Sequence, residues 1–186
     1  FPQTKDKTLL TLPGRITGWK GIESFISLIK NLKVKNYHGL IPGPVSPNKL
    51  NYLKSLKKLV QQNALESQIT FCGARKDIAN IYKISTIVFN LSSKPEPFGR
   101  TIIEAAACGT RVMGWNRGGV GESIKAINPA GLIPFGDEKA LIERIPLLIK
   151  ENCPQSIPRK FTKKYQASQT IALYERTLKA HREIKN

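Results

Sequence analysis

Apolar and polar positions switch repeatedly between two patterns along this chain. Residues 8–13 (Thr-Leu-Leu-Thr-Leu-Pro) are a short apolar run that predicts a strand ended by Gly14-Arg15. From about Lys20 the spacing changes, and Ile22, Phe25, Ile26, Ile29 and Leu32 recur on one side of a helix. The alternation then repeats. Residues 37–41 predict a second strand, stopped by Pro42-Gly43-Pro44. Next comes a helix capped by Ser46, with Pro47 in its first turn, burying Leu50, Leu53, Leu56 and Val60. Residues 69–72 predict a third strand, and Ile78, Ile81 and Tyr82 a short helix. Residues 86–91 (Thr-Ile-Val-Phe-Asn-Leu) are apolar on both faces, as a central strand must be. A helix over 99–108 closes at Gly109, strands follow at 110–114 and 131–134, and Asp137 caps a helix that Pro146 should kink or split. Residues 161–185 predict one long closing helix.

Strand and helix alternate with no hairpin signal between them. That order predicts a three-layer, Rossmann-like α/β/α domain with a parallel sheet of about six strands, right-handed crossovers and helices on both faces. The segments after each strand would then gather beyond the carboxyl ends, where ligands of such sheets bind. Two regions follow: a domain over residues 1–160 and a closing helix over 161–186. No apolar run approaches the roughly 20 residues needed to span a bilayer.

Charge changes this picture more than composition does. The 186 residues carry 30 Lys and Arg against 13 Asp and Glu, a net charge of +17. Lysines crowd residues 49–58 (Lys49, Lys54, Lys57, Lys58), and a second basic run is Arg159, Lys160, Lys163 and Lys164. Such a balance implies an acidic partner: nucleic acid, anionic lipid or a phosphorylated small molecule. No nucleic-acid signature accompanies it, so nucleic acid is not expected as a partner. Cys72, Cys108 and Cys153 are widely spaced and form no C-x-x-C pair. They predict reduced thiols in a cytoplasmic protein, with Cys72 and Cys108 in the core and no metal. The chain opens at Phe1-Pro2-Gln3-Thr4 without an initiator Met, so it is expected to be a piece of a longer protein.

The candidate chemistry concentrates in residues 94–122. Glu96 precedes the helix, Glu104 lies on it, and Phe98-Gly99-Arg100-Thr101 places a glycine at its start. Free N–H groups of such a helix end favour an anion. Two carboxylates beside an anion hole suit a ligand that is part sugar and part phosphate, since a carboxylate accepts from neighbouring hydroxyls. For Glu104 the plainer alternative is a first-turn glutamate complementing the helix dipole.

Gly14-Arg15, Lys20-Gly21, Glu96-x-Phe-Gly-Arg-Thr-Ile-Ile-Glu104-Ala-x-Ala-Cys-Gly-Thr, then Gly118-Gly119 and Glu122, resemble the donor-binding domain of glycosyltransferase family 4. The likeness runs over nearly the whole chain. It implies the C-terminal half of a GT-B fold and a mostly retaining transfer from a nucleoside-diphosphate sugar. Arg15 and Lys20 match the family's grip on the diphosphate, where cations stabilise the leaving group's growing charge. Glu96 matches the residue that orients the transferred sugar, and Glu104 the one that meets the ribose. With Arg15 and Lys20, Glu96 makes up the catalytic set. The donor-binding set is Gly14, Arg75 beside the base, Phe98, Gly99, Arg100, Thr101, Glu104, Gly118 and Gly119. Gly118 and Gly119 are expected to keep a turn open beside the sugar. His38 and Pro42 depart from the family's smoothly apolar second strand, so its end should be irregular, and Trp115 and Asn116 fall at a variable position near the sugar.

Only Asp6, Asp77 and Asp137 occur, and none forms the Asp-x-Asp pair that holds a divalent cation on a diphosphate. No metal and no cofactor is therefore expected. His38 and His181 lie outside every motif and are expected to be structural or exposed. The absent general base fits the family's account that the departing phosphate takes the acceptor's proton. The partners implied are a nucleotide-sugar donor and an N-terminal domain of the same protein, to which residues 161–186 would return. Alone, this half should bind donor weakly and transfer nothing. The basic surface leans towards a cytoplasmic protein peripheral to an anionic membrane, with a glycan or lipid-linked acceptor. Two alternatives stand beside this: a nucleotide-sugar epimerase on the same scaffold, and a basic module for nucleic acid or membrane.

Overall fold

The computed structural model describes residues 4–32, 36–151 and 157–185, with side chains up to His181. It divides into two units, Phe1–Ser156 and Ile157–Asn186. In the first, strands β1 (Thr8–Thr11), β2 (Tyr37–Pro42), β3 (Ile69–Gly73), β4 (Ile87–Asn90), β5 (Arg111–Trp115) and β6 (Leu132–Ile133) form one sheet in the order β3-β2-β1-β4-β5-β6. Every neighbouring pair is parallel. Because β1 is flanked by β2 on one side and β4 on the other, the winding direction reverses between β1 and β4.

Helices α1 (Ile22–Asn31), α2 (Leu50–Gln62) and α6 (Glu138–Lys150) pack with one another on one face, and α3 (Ile78–Ile84), α4 (Arg100–Ala107) and α5 (Gly118–Ile127) on the other. The apolar spacing of α1 has its predicted effect: Ile22, Phe25, Ile26 and Ile29 are buried against Leu10, Ile41, Ile87 and Phe89 of the sheet. Strand β4 is buried along its whole length, as its two-sided apolar sequence requires.

Several local expectations change. Helix α2 begins after a 3-10 turn over Pro47–Lys49, the Ser46 side chain caps nothing, and Leu50 is exposed while Leu56 and Val60 are buried. The tighter 3-10 pitch, about three residues per turn, rotates Leu50 off the core-facing side. Helix α6 runs unsplit through Pro146, with Asp137 Oδ1 accepting from the Ala140 N–H at 2.9 Å. The end of β2 is irregular as expected, with a register shift between Ile41 and Pro42 against β3. Cys72 and Cys108 are free thiols but only half-buried, and Cys153 lies outside the described residues.

Helix α5 departs from the sequence pattern. Gly118-Gly119-Val120-Gly121 reads as a turn because glycine disfavours a helix interior by about 1 kcal/mol relative to Ala. Packing overrides that: a Cβ on Gly119 would stand 2.3 Å from the Pro97 carbonyl oxygen. Only a bare backbone lets the helix approach so closely.

The second unit is a 3-10 turn at Arg159–Phe161 followed by α7 (Lys163–Lys185). Thr162 caps it, its Oγ1 accepting from the Tyr165 N–H at 3.3 Å. On α7, Ile171 and Leu178 are 57% and 58% exposed.

Candidate functional site

The reversal between β1 and β4 opens a crevice at the carboxyl ends of the strands, the position where open parallel sheets bind ligands. Two segments far apart in sequence meet there. Lys20, from the segment joining β1 to α1, places its Nζ 2.8 Å from Glu96 Oε1, from the segment joining β4 to α4. The two side chains are 14% and 12% exposed, and Lys20 Nζ also lies 4.3 Å from the centre of the Trp19 ring. Asn90 Nδ2 donates to Glu96 Oε1 at 3.0 Å, and Ser92 Oγ donates to the same oxygen. Burial works to raise the Glu96 carboxyl. Hydrogen bonds from Lys20, Ser92 and Asn90, with the Lys20 charge, more than offset it and hold the group below the usual carboxylate range.

The Glu96 segment is gripped from behind by α5. The Gly119 N–H donates to the Glu96 backbone carbonyl at 2.8 Å, and Ser123 Oγ donates to the Phe98 carbonyl at 2.9 Å. Helix α4 then starts from Gly99 at φ 72°, a left-handed conformation suited to glycine, with no side chain capping it. Its first N–H groups are left at the crevice, where an anion can meet them. At its other end the Thr110 and Gly109 N–H groups bond back to Ala105 and Ala106, with Gly109 at φ 81°, so the helix stops where the sequence predicted.

Beside the ion pair lies a cavity of about 320 Å³. Gly14 and Arg15, Pro42 to Pro44, Ala74 and Arg75, Tyr82 and Thr101 all contribute to its wall. Arg15 is exposed and forms no ion pair among the described residues. Arg75 holds Asp77 through two bonds, Nε to Oδ1 at 2.8 Å and Nη2 to Oδ2 at 2.7 Å. Tyr82 is buried and its hydroxyl lies 3.5 Å from Glu104 Oε2. Burial first, then the Glu104 charge, pushes that hydroxyl above its ordinary range.

The structure thus draws Lys20, Glu96, Thr101 and the start of α4 together, with Arg15 and Arg75 on the adjoining wall. Glu104 is the fifth residue of α4 rather than a first-turn residue, so the dipole alternative does not hold for it. It pairs with Arg100 at 3.2 Å. Gly118 and Gly119 begin a helix instead of holding a turn open, and the Gly119 N–H is occupied by Glu96. Trp115 is buried, its indole N–H donating to the Leu91 carbonyl at 3.2 Å, and so it shapes the sheet edge from within. His38 is buried beside Thr70 Oγ1 at 2.9 Å, away from the crevice, and burial lowers its pKa; His181 is exposed on α7. Sequence motifs alone do not single out Asn90, Ser92 and Tyr82, which the structure brings to Glu96 and Glu104. For the first two a signal exists: polar residues at the carboxyl end of an otherwise apolar strand have little reason to be there except the site.

Among the described residues no cluster of three or more His, Cys, Asp or Glu could hold a metal, and no helix is long and apolar enough to cross a membrane. The family described as "Glycosyl transferases group 1" matches residues 1–167. The chain is 34% identical over 125 residues to mannosylfructose-phosphate synthase of Agrobacterium fabrum, covering 63% of this chain and 27% of that one. Among solved structures it is similar to HepE of Anabaena in complex with UDP and glucose, at 26% identity and a TM-score of 0.74, over 80% of this chain and 40% of that one. It also resembles a glycosyl transferase group 1 C-terminal domain from Francisella tularensis, at 25% identity and a TM-score of 0.66, over 81% and 82% of the two chains. The chain spans a third or less of the length of the curated relatives it matches.

Proposed function

Because this chain belongs to the group 1 glycosyl transferases, we propose that it is the donor-binding half of a retaining, metal-independent enzyme. That enzyme moves a sugar from a nucleoside diphosphate to a glycan or lipid-linked acceptor. The observation that carries the reading is the Lys20–Glu96 contact at the crevice, 2.8 Å long and nearly sealed from solvent. A cation for phosphate and a carboxylate for hydroxyls, held side by side, match the two chemistries of a sugar diphosphate. The solved relative with UDP and glucose supports the same reading.

In this assignment the base and ribose occupy the cavity walled by Ala74, Arg75 and Tyr82, with Glu104 accepting from the ribose diol. Arg15, Lys20 and the N–H groups at the start of α4 meet the diphosphate. As the bond to the sugar breaks, negative charge grows on the leaving phosphate, and these fixed donors stabilise it without reorganising. Glu96 accepts from hydroxyls of the transferred sugar. The acceptor reaches the sugar from the side that a second domain would close.

A thermal-shift and calorimetry panel of uridine, guanosine and adenosine diphosphates with their sugars tests the reading. At least one pair should bind, and Arg15→Ala with Lys20→Ala should weaken the diphosphate by about tenfold or more, one charge-assisted bond being worth about 1.5–3 kcal/mol. Binding that ignores both cations would remove the phosphate assignment. In the full-length enzyme Glu96→Ala should abolish transfer, and chelator should leave the rate intact. A lost rate restored by magnesium would overturn the metal-free mechanism.

A further inference from the structure

The donors around Glu96 are not shared between its two oxygens. Lys20 Nζ at 2.8 Å, Asn90 Nδ2 at 3.0 Å and Ser92 Oγ all reach Oε1. Among the described residues no hydrogen-bond donor reaches Oε2. Three donors fill the acceptor capacity of one carboxylate oxygen and leave the other with all of its own.

The holder is itself fully specified. Ser92 donates its backbone N–H to Asn90 Oδ1 at 3.2 Å, which fixes the amide with its NH₂ turned towards Glu96. The same Nδ2 lies 3.3 Å from Thr101 Oγ1, on the first turn of α4. Asn90 and Ser92 are 4% and 5% exposed, so both are buried at the carboxyl end of β4 and neither is a surface polar residue. A buried network in which every member is satisfied is rigid and holds one geometry.

We propose that Asn90 and Ser92 are positioning residues, which lock the Glu96 carboxylate through Oε1 and reserve Oε2 to accept a hydroxyl of the transferred sugar. This rests on the donor-site reading above. It divides the labour of one carboxylate: Oε1 belongs to the protein and Oε2 to the ligand. Lys20, too, then acts twice, steadying Glu96 through one proton and keeping the others for the diphosphate, since an ammonium has three. Lys20 is the charged group that touches Glu96, while Arg100 on α4 is engaged by Glu104. The depressed Glu96 carboxyl follows from the same contacts.

The test uses this chain with Ser92→Ala and with Ser92→Thr, which restores a hydroxyl; circular dichroism checks that each variant is folded. Carbon-13 carboxyl NMR reads the Glu96 titration directly. Its midpoint should rise in Ser92→Ala and return in Ser92→Thr, and an unmoved midpoint would overturn the lock. Calorimetry then compares each nucleoside diphosphate with its sugar conjugate. Ser92→Ala should weaken the sugar conjugate by about tenfold and the bare diphosphate by less than about twofold. Equal losses for both ligands would show that Ser92 merely shapes the segment, and would overturn the sugar assignment. Should the wild type bind no member of the panel, the donor reading and the role of Oε2 fall together. The titration would then still decide whether Ser92 holds the carboxylate.

Discussion

Two ion pairs face the same crevice and behave differently. Arg75 and Asp77 are two residues apart, bond in a double fork, and stand 39% and 41% exposed at the end of the edge strand β3. Lys20 and Glu96 are 76 residues apart, make one contact, and are 14% and 12% exposed at the centre of the sheet. By hydrogen-bond count the first pair looks stronger. Solvent reverses the order: water and salt screen an exposed pair, and its formation changes little. The central pair has lost most of its water, so each charge depends on the other and on Asn90 and Ser92. A cation and a carboxylate that must discriminate among ligand atoms are useful only when held in that second way.

Breaking the central pair should therefore have the largest consequence. Lys20→Ala leaves a nearly buried carboxylate short of its cation, and should cost about 3–5 kcal/mol in urea unfolding. A loss indistinguishable from that of an exposed pair would erase the contrast. Gly119→Ala attacks the same pair from behind, since its Cβ would meet the Pro97 carbonyl at 2.3 Å. The Glu96 segment must then move, at a cost of about 1–3 kcal/mol, and sugar-nucleotide affinity should fall with it.

Acid offers a gentler probe. The folded Glu96 carboxyl lies below its unfolded value, so its share of stability is complete above the ordinary carboxylate range, near 4.5. That share is lost as pH falls through the lower folded value. Glu96→Gln should flatten this part of the stability curve, and an unchanged acid limb would contradict it. The smallest effect belongs to Arg75→Ala, for which thermal unfolding should match wild type at low and high salt alike. A clear loss at low salt would mean that the exposed pair is more than a solvated fork.

The sequence read alone carried the sheet and most of its helices, because burial imposes periodicity. Phe25, Ile26 and Ile29 can be recognised as a helix face, and residues 86–91 as a central strand, before any partner is known. It also singled out Glu96, Gly99 and Thr101, which fall within a few positions of one another and form a local motif. What it misjudged had non-local causes. Leu50 reads as a core residue because nothing in the sequence shows a 3-10 turn rotating the next helix. Gly118 and Gly119 read as a turn because the surface they fit, the backbone of Glu96 and Pro97, comes from another segment. Nor does the sequence show that Lys20 and Glu96 touch each other, or that Asn90 and Ser92 hold Glu96. Their meeting depends on β1 and β4 being neighbours at the reversal of the sheet. That adjacency is a property of strand order, which hydrophobic patterning leaves open and only the packed sheet decides.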